Sequence, residues 1–77
     1  MPSTEQEFQL EAGYQYVELN QLLKLVGLCH SGGVGKTIVA SGAVQVDGKT
    51  ELRKTCKIRA NQTVELDGVR IHVHAPV

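Results

Sequence analysis

Apolar residues recur at intervals of three and four positions in the stretch YVELNQLLKLVGL, residues 16–28. Four of them fall on one side of a helix at this spacing: Leu19, Leu22, Leu23 and Val26. The pattern therefore predicts an amphipathic helix with a single buried face. Gly27 follows this apolar face and is expected to end the helix, because glycine tolerates the left-handed backbone of a helix terminus.

A second helix is predicted over residues 33–41, with Ser31 as the residue whose hydroxyl caps its start. Gly42 is placed to end this helix. The side chains expected to be buried are Val34, Ile38 and Val39.

After Gly42 the apolar period changes from that of a helix to that of strands. Two Asp-Gly pairs, at 47–48 and 67–68, lie between alternating apolar positions and predict tight β-hairpins. A two-residue turn at 67–68 sets Glu65 opposite Arg70, and their opposite charges favour that register.

Two further segments predict short strands. Residues 7–10 alternate weakly, with Phe8 and Leu10 on one side, and residues 57–59 place Ile58 between two basic residues. Because the helices come first and most of the strands follow, the chain is predicted to be α+β, with two short helices packed on a small, mostly antiparallel sheet.

Composition narrows the class of protein. A chain of 77 residues with 42% apolar content is expected to form one small domain. No apolar run has the length of a membrane helix and no signal peptide is recognisable, so a cytoplasmic protein is expected. Cys29 and Cys56 lack metal-ligand spacing and are interpreted as free thiols.

Charge is distributed unevenly although the formal net charge is zero. Residues 1–18 carry four glutamates and no base, whereas residues 19–59 carry seven lysines and arginines against two acids. A basic body behind an acidic leader favours a polyanionic partner. A solvated surface without any partner remains the alternative from charge alone.

The stretch HSGGVGKTI, residues 30–38, approaches the phosphate-binding pattern G-x-x-x-x-G-K-[ST]. The first glycine of that pattern is replaced by His30. The residues after Thr37 predict hairpins, whereas a nucleotide-binding parallel sheet needs a further crossover connection. A nucleotide binder therefore stays only as a second alternative.

Several motifs in order resemble the small RNA-binding domain named for ribosomal small-subunit protein four, the alpha-L motif. They are LNQLLKLVGL, then GAVQVDGK, then the basic segment ELRKTCKIRANQTVEL, and they span about residues 16–67. SGGVGK, residues 31–36, resembles the inter-helix loop of the stand-alone bacterial branch. The chain departs from the family at residues 60–62, where a Pro-Gly-Asp turn is usual, although Asn61 also suits a turn.

The resemblance implies a non-enzymatic, monomeric module that binds structured RNA, such as ribosomal or transfer RNA, without a cofactor or metal. It divides the chain into an acidic leader, residues 1–15, and an RNA-binding domain, residues 16–77. The expected RNA-binding residues are Lys36, Arg53, Lys54, Lys57, Arg59, Ser31, Gly32, Gly33, Lys49 and His30. Among the lysines, Lys49 and Lys24 are weaker candidates. The first alternative is a small protein–protein adaptor.

Binding to duplex RNA requires cations that are fixed in position. Duplex RNA is bound through phosphates and 2′-hydroxyls, which calls for positive charges on a rigid scaffold. Lys36 lies near a helix start, where free N–H groups favour phosphate. Lys57 and Arg59 share one face of a strand if Ile58 is turned inward. Three aromatic residues in the chain argue against a protein that stacks single strands on a sheet.

Two other pairs of residues do not predict chemistry. His72 and His74 share one side of a strand, but no third or fourth metal ligand is evident in the sequence. Cys29 and His30 are neighbours along the chain and lack an orienting group, so no nucleophile–base pair is predicted. No catalytic residue is expected.

Overall fold

The structure is a computed structural model that describes residues 4–76. The elements follow the predicted α+β class, although two strands precede the helices. In chain order they are β1 (Thr4–Gln9), β2 (Tyr16–Glu18), α1 (Leu19–Leu25), α2 (Gly32–Ala40), β3 (Gln45–Val46), β4 (Lys49–Thr50), β5 (Lys57–Arg59), β6 (Thr63–Leu66) and β7 (Val69–His74).

The strands form two sheets. Five of them make one sheet in the order β1-β7-β6-β3-β4, and β2 pairs with β5 in a separate two-stranded sheet. Within the described residues only the β1–β7 pair is parallel, so the sheets are mostly antiparallel, as predicted.

Both predicted hairpins are present. Asp47 and Gly48 have φ values of 51° and 83°, and Asp67 and Gly68 have values of 49° and 77°. Two successive residues with positive φ are the geometry of the hairpin turn that suits the twist of the flanking strands. The Glu65–Arg70 register is also confirmed, with 3.6 Å between Arg70 Nε and Glu65 Oε1.

Helix α1 buries three of the four residues predicted for its apolar face, and the fourth, Val26, follows the helix and is half-buried. Leu19, Leu22 and Leu23 are fully buried, and Gly27 ends the helix with a φ of +85°. Residues 16–18, which precede the helix in the same apolar stretch, form strand β2 instead.

Helix α2 starts at Gly32 behind the predicted cap, since Ser31 Oγ accepts a hydrogen bond from Val34 N–H at 3.2 Å. The predicted buried face is partly wrong. Val39 is buried and Ile38 is half-buried against the core, but Val34 is 45% exposed, and the other buried residue is Gly35. Because α1 packs against α2 at Gly35, the neighbouring Val34 is turned toward solvent.

The core is one apolar cluster between the helices and the sheets. Its buried members are Leu10, Leu19, Leu22, Leu23, Val39, Val44, Val46, Ile58, Val64, Leu66, Ile71 and Val73. Strand β1 lies at an edge of the five-stranded sheet. The boundary between a leader and a domain at 15/16 stays a prediction, and residues 1–3 and 77 of those two ranges lie outside the described residues. No helix in the described part of the chain is long and apolar enough to cross a membrane.

Candidate nucleic-acid interface

The two-stranded sheet fixes the basic residues of β5. Ile58 is fully buried in the core, whereas Lys57 and Arg59 are exposed on either side of it. This is the alternation expected of a strand with one buried face. The buried isoleucine therefore anchors two cations on a common outer face, as the sequence predicted.

Tyr16 lies beside these cations, although no sequence pattern predicted that it would be their neighbour. Its backbone is directly opposite Arg59 in the β2–β5 pair. The Lys57 ammonium is 5.0 Å from the centroid of the Tyr16 ring, and the Arg59 guanidinium carbon is 5.7 Å from it. Both distances are within the range of cation–π attraction. The ring therefore helps to hold the two cations in place.

Arg53 is neutralised by Glu51. Arg53 Nε and Nη2 each donate a hydrogen bond of 3.0 Å to the Glu51 carboxylate, and Arg53 N–H donates a third. These bonds lower the pKa of the Glu51 carboxyl from 4.5 to about 2, and they raise the pKa of Arg53. Arg53 therefore remains exposed but presents a compensated charge.

Cys56 lies next to this ion pair. Burial raises the pKa of the Cys56 thiol, and the hydrogen bond to Glu51 adds to the effect. The thiol is therefore protonated at neutral pH, which is not the state of a reactive nucleophile.

The start of α2 has free hydrogen-bond donors. The first N–H groups of a helix have no partner inside it. Val34 N–H is bonded to Ser31 Oγ and Gly35 N–H to Ser31 O, which leaves the N–H groups of Gly32 and Gly33 without a partner among residues 4–76. The first turn carries no acidic residue, and Lys36 is exposed just beyond it. This helix end can accept an anion.

Asn20 connects the start of α2 to the basic segment. Its side chain is buried, and Nδ2 donates a hydrogen bond to Gly32 O at 3.3 Å. Its backbone N–H donates to Lys54 O at 3.2 Å. Gly35 also packs on the Asn20 backbone. The helix start and the segment around Lys54 thus meet at one residue, which no sequence pattern had indicated.

The remaining candidates are more dispersed. Lys49 lies on β4, at the edge of the five-stranded sheet, and is not on the β2–β5 sheet. His30 is exposed in the loop before Ser31, and Lys24 is exposed in the last turn of α1.

The two strand histidines pair with the glutamates of β1. His72 Nε2 is 2.9 Å from Glu5 Oε1, and His74 Nε2 is 2.6 Å from Glu7 Oε2. Thr63 Oγ1 is 3.3 Å from the other ring nitrogen of His72. Among residues 4–76 no group of three or more side chains is arranged to hold a metal ion.

The glycine-rich stretch does not have the surroundings of a phosphate loop. Such a loop joins a buried strand to a helix, whereas residues 31–36 follow α1 and form the cap and opening of α2. Gly35 serves helix packing instead, because a Cβ there would lie 2.5 Å from the carbonyl oxygen of Asn20. A Cβ on Gly32 would lie 2.5 Å from Gln21 Nε2.

Comparison with known proteins gives the family. The S4 domain matches residues 8–74. "Putative RNA-binding protein YbcJ" of Escherichia coli (strain K12) is 48% identical over 62 residues, which cover 80% of this chain and 89% of that protein. "Uncharacterized protein YbcJ" of Shigella flexneri matches to the same extent.

The solution structure of E. coli YbcJ reveals an alpha-L motif involved in RNA binding. It aligns with a TM-score of 0.69 at 46% identity and covers 90% of this chain and 86% of that chain. The predicted resemblance and fold class are confirmed: the chain belongs to the S4 domain family and has the alpha-L fold.

Proposed function

We propose that this chain is a non-catalytic RNA-binding protein that docks on structured RNA, ribosomal or transfer RNA, through one basic face. It acts as a cytoplasmic monomer, with residues 16–77 as the RNA-binding domain. The residues proposed for the face are Lys36, Arg53, Lys54, Lys57 and Arg59, supported by Ser31, Gly32, Gly33 and His30. Lys49, on the edge strand β4 of the five-stranded sheet, is proposed as a more distant RNA contact. Membership of the S4 domain family and the RNA-binding name of the E. coli relative support this function.

The observation that carries the proposal is the double contact of Asn20. One buried side chain binds the first residue of α2, and the same residue's backbone binds Lys54. A helix start and a basic segment that are distant in sequence are thereby held against a common support. A rigid arrangement of this kind is what phosphate binding requires, because mobile cations lose entropy when they are immobilised.

The basic residues differ in whether a carboxylate neutralises them. In the described part of the chain no carboxylate forms an ion pair with Lys54, Lys57 or Arg59, whereas Glu51 occupies Arg53. An unpaired cation can release a counterion from RNA when it binds a phosphate. We therefore assign the larger share of the affinity to Lys54, Lys57 and Arg59.

Structured RNA is favoured over free single strands by the kind of contacts available. The face offers lysine and arginine heads and helix N–H groups, which recognise phosphate and ribose. A-form RNA presents these groups in a regular array while its base edges stay hidden in the deep groove. The spacing of the phosphates, which a rigid protein can match, then provides the selectivity.

The test is RNA affinity as a function of salt, measured with the whole chain and structured ribosomal and transfer RNA. Contacts to roughly four to six phosphates predict a loss of two to three orders of magnitude between about 50 and 200 mM salt. The triple variant Lys54→Ala, Lys57→Ala, Arg59→Ala should bind much more weakly and show a shallower salt slope.

Arg70→Gln is the matched control. Arg70 is also an exposed cation on a strand, but it lies on the five-stranded sheet opposite Glu65. Its replacement should leave the salt slope unchanged. If the triple variant keeps the parent's affinity and slope while remaining folded, the assigned face is wrong. If the parent binds no structured RNA at low salt, the function itself is wrong.

A further inference from the structure

A cleft of about 470 Å³ is lined in part by the residues of β2, the strand that pairs with β5. Tyr14, Tyr16, Glu18 and Gln21 line it. Tyr14 is 61% exposed and Tyr16 is 38% exposed, so both rings present apolar area to solvent. Exposed tyrosines at the wall of a cleft provide flat surfaces on which a planar group can stack.

Two residues that line the cleft have neighbours in β5 and in α2. On one side the Lys57 and Arg59 side chains lie against the ring of Tyr16. On the other side Gln21 extends toward α2, because its Nε2 lies 2.5 Å from the point where a Gly32 Cβ would stand. A ligand in the cleft would therefore have cations at one end and the start of α2 at the other.

The chemistry of the walls selects the part of an RNA that can enter. Glu18 is one of the residues that line the cleft. Its negative charge repels phosphate. Glu18 accepts hydrogen bonds, and the Gln21 amide both donates and accepts them. Two aromatic rings beside polar groups of this kind suit a nucleobase, which has a stacking face and a polar edge.

We propose that this cleft takes one unpaired nucleobase of the bound RNA, which stacks on Tyr16 and Tyr14 while Lys57 and Arg59 bind the flanking phosphates. The proposal rests on the RNA-binding function proposed above and adds the kind of RNA. A base inside a duplex is stacked on both faces and is not free to enter. The preferred RNA is therefore a helix interrupted by a bulged or looped nucleotide.

The intrinsic tyrosine fluorescence of the protein can be used to detect binding at this cleft. Tyr14 and Tyr16 are its two tyrosines and it has no tryptophan, so intrinsic fluorescence reports on the cleft. The experiment titrates the whole chain at low salt with two RNA hairpins that differ by one bulged nucleotide. The bulged hairpin should quench tyrosine fluorescence more strongly and bind about tenfold more tightly than the paired hairpin.

Two substitutions of Tyr16 distinguish base stacking on the ring from the effect of the ring on the positions of Lys57 and Arg59. Tyr16→Leu removes the stacking ring and should abolish the preference for the bulged hairpin, whereas Tyr16→Phe should keep it. A change in how Lys57 and Arg59 are held would weaken both hairpins equally and leave their ratio intact. Leu52→Ala is the control, because Leu52 is 60% exposed and does not line the cleft.

The outcomes distinguish the two proposals. If both hairpins bind with a steep salt dependence but equally, or if Tyr16→Leu retains the preference for the bulge, the nucleobase cleft is refuted and the basic face stands. If neither hairpin binds at low salt, the RNA-binding function fails together with the cleft.

Discussion

Gly35 packs directly on the backbone of Asn20. A Cβ built on Gly35 would lie 2.5 Å from the carbonyl oxygen of Asn20 and 3.1 Å from its Cα. The two helices therefore approach each other more closely at this point than any side chain allows. The same contact holds the start of α2 at its position beside the Lys54 segment, so helix packing and the candidate interface depend on one glycine.

Gly35→Ala is expected to destabilise the protein by about 1–3 kcal/mol, because backbone atoms of α1 would have to move to admit the methyl group. The gain in helix propensity from glycine to alanine, about 1 kcal/mol, is too small to offset a contact of this kind. The measurement is the free energy of unfolding from urea titration.

Gly33→Ala is the matched control in the same helix. The nearest atom to a Cβ on Gly33 is Ser31 Oγ at 3.8 Å, an ordinary contact. Helix propensity then acts alone, and the substitution should be neutral or stabilising by up to about 1 kcal/mol. Equal effects of the two substitutions would contradict the role assigned to Gly35.

The Gly35 contact also explains why the buried face of α2 was predicted only in part. Apolar periodicity counts Val34, Ile38 and Val39 as core positions but gives glycine no weight. In the structure the buried positions are Gly35 and Val39, four residues apart, and Val34 is exposed. A close helix contact through glycine cannot be seen in hydrophobicity, because the buried group has no side chain.

The Asp-Gly turns predicted the two hairpins, but no signal in the sequence indicated the pairing of strands that are distant along the chain. An Asp-Gly turn fixes its own strand register, so β6–β7 was predictable to the residue. The parallel pairing of β1 with β7 joins opposite ends of the chain and has no turn to announce it. Strands β2 and β5 are also not joined by a tight turn, so their pairing could not be predicted from local sequence. Tyr16 was therefore not recognised as a neighbour of Arg59.

Asn20→Asp tests the role of Asn20 in connecting the start of α2 to the basic segment. An ionised aspartate cannot donate to Gly32 O, and its carboxylate would be buried against that carbonyl oxygen. We expect a loss of at least about 2 kcal/mol in the free energy of unfolding at neutral pH.

The comparison with Asn20→Ala isolates the charge. Burial raises the pKa of an introduced carboxyl, so its penalty applies above that pKa and declines as the pH falls through it. Asn20→Asp should therefore be the less stable variant at pH 7, and the difference should shrink toward pH 4. A constant difference between the two variants across this range would show that position 20 is not a site where charge is costly.

Glu51 gives the protein a defined acid sensitivity. Its folded pKa, about 2, is below the ordinary 4.5 because Arg53 donates to the carboxylate. A carboxyl with a depressed pKa in the folded state contributes stability above about 4.5 and loses it as the pH falls toward 2. Unfolding measured across this window should show that loss in the parent protein. Glu51→Gln should lack this component, while Glu65→Gln should retain it.

Glu51→Gln is also expected to strengthen RNA binding. It removes a negative charge and the ion pair in which the Arg53 guanidinium donates two hydrogen bonds to the carboxylate, so a further cation becomes available to phosphate. The affinity should rise a few-fold, and the slope of log affinity against log salt should steepen by up to about one unit. In the parent, Arg53→Ala should cost less affinity than Lys57→Ala because the charge of Arg53 is already compensated.

Glu65→Gln separates this local effect from a change in overall charge. It also removes one carboxylate and frees one arginine, Arg70, but on the five-stranded sheet. Both variants gain the same net charge, so a long-range electrostatic effect would raise the affinity equally in the two. A steeper salt slope in Glu51→Gln alone would mean that RNA phosphates approach Arg53. Equal slopes would remove Arg53 from the interface and leave the cations of β5 and Lys54 to carry the binding.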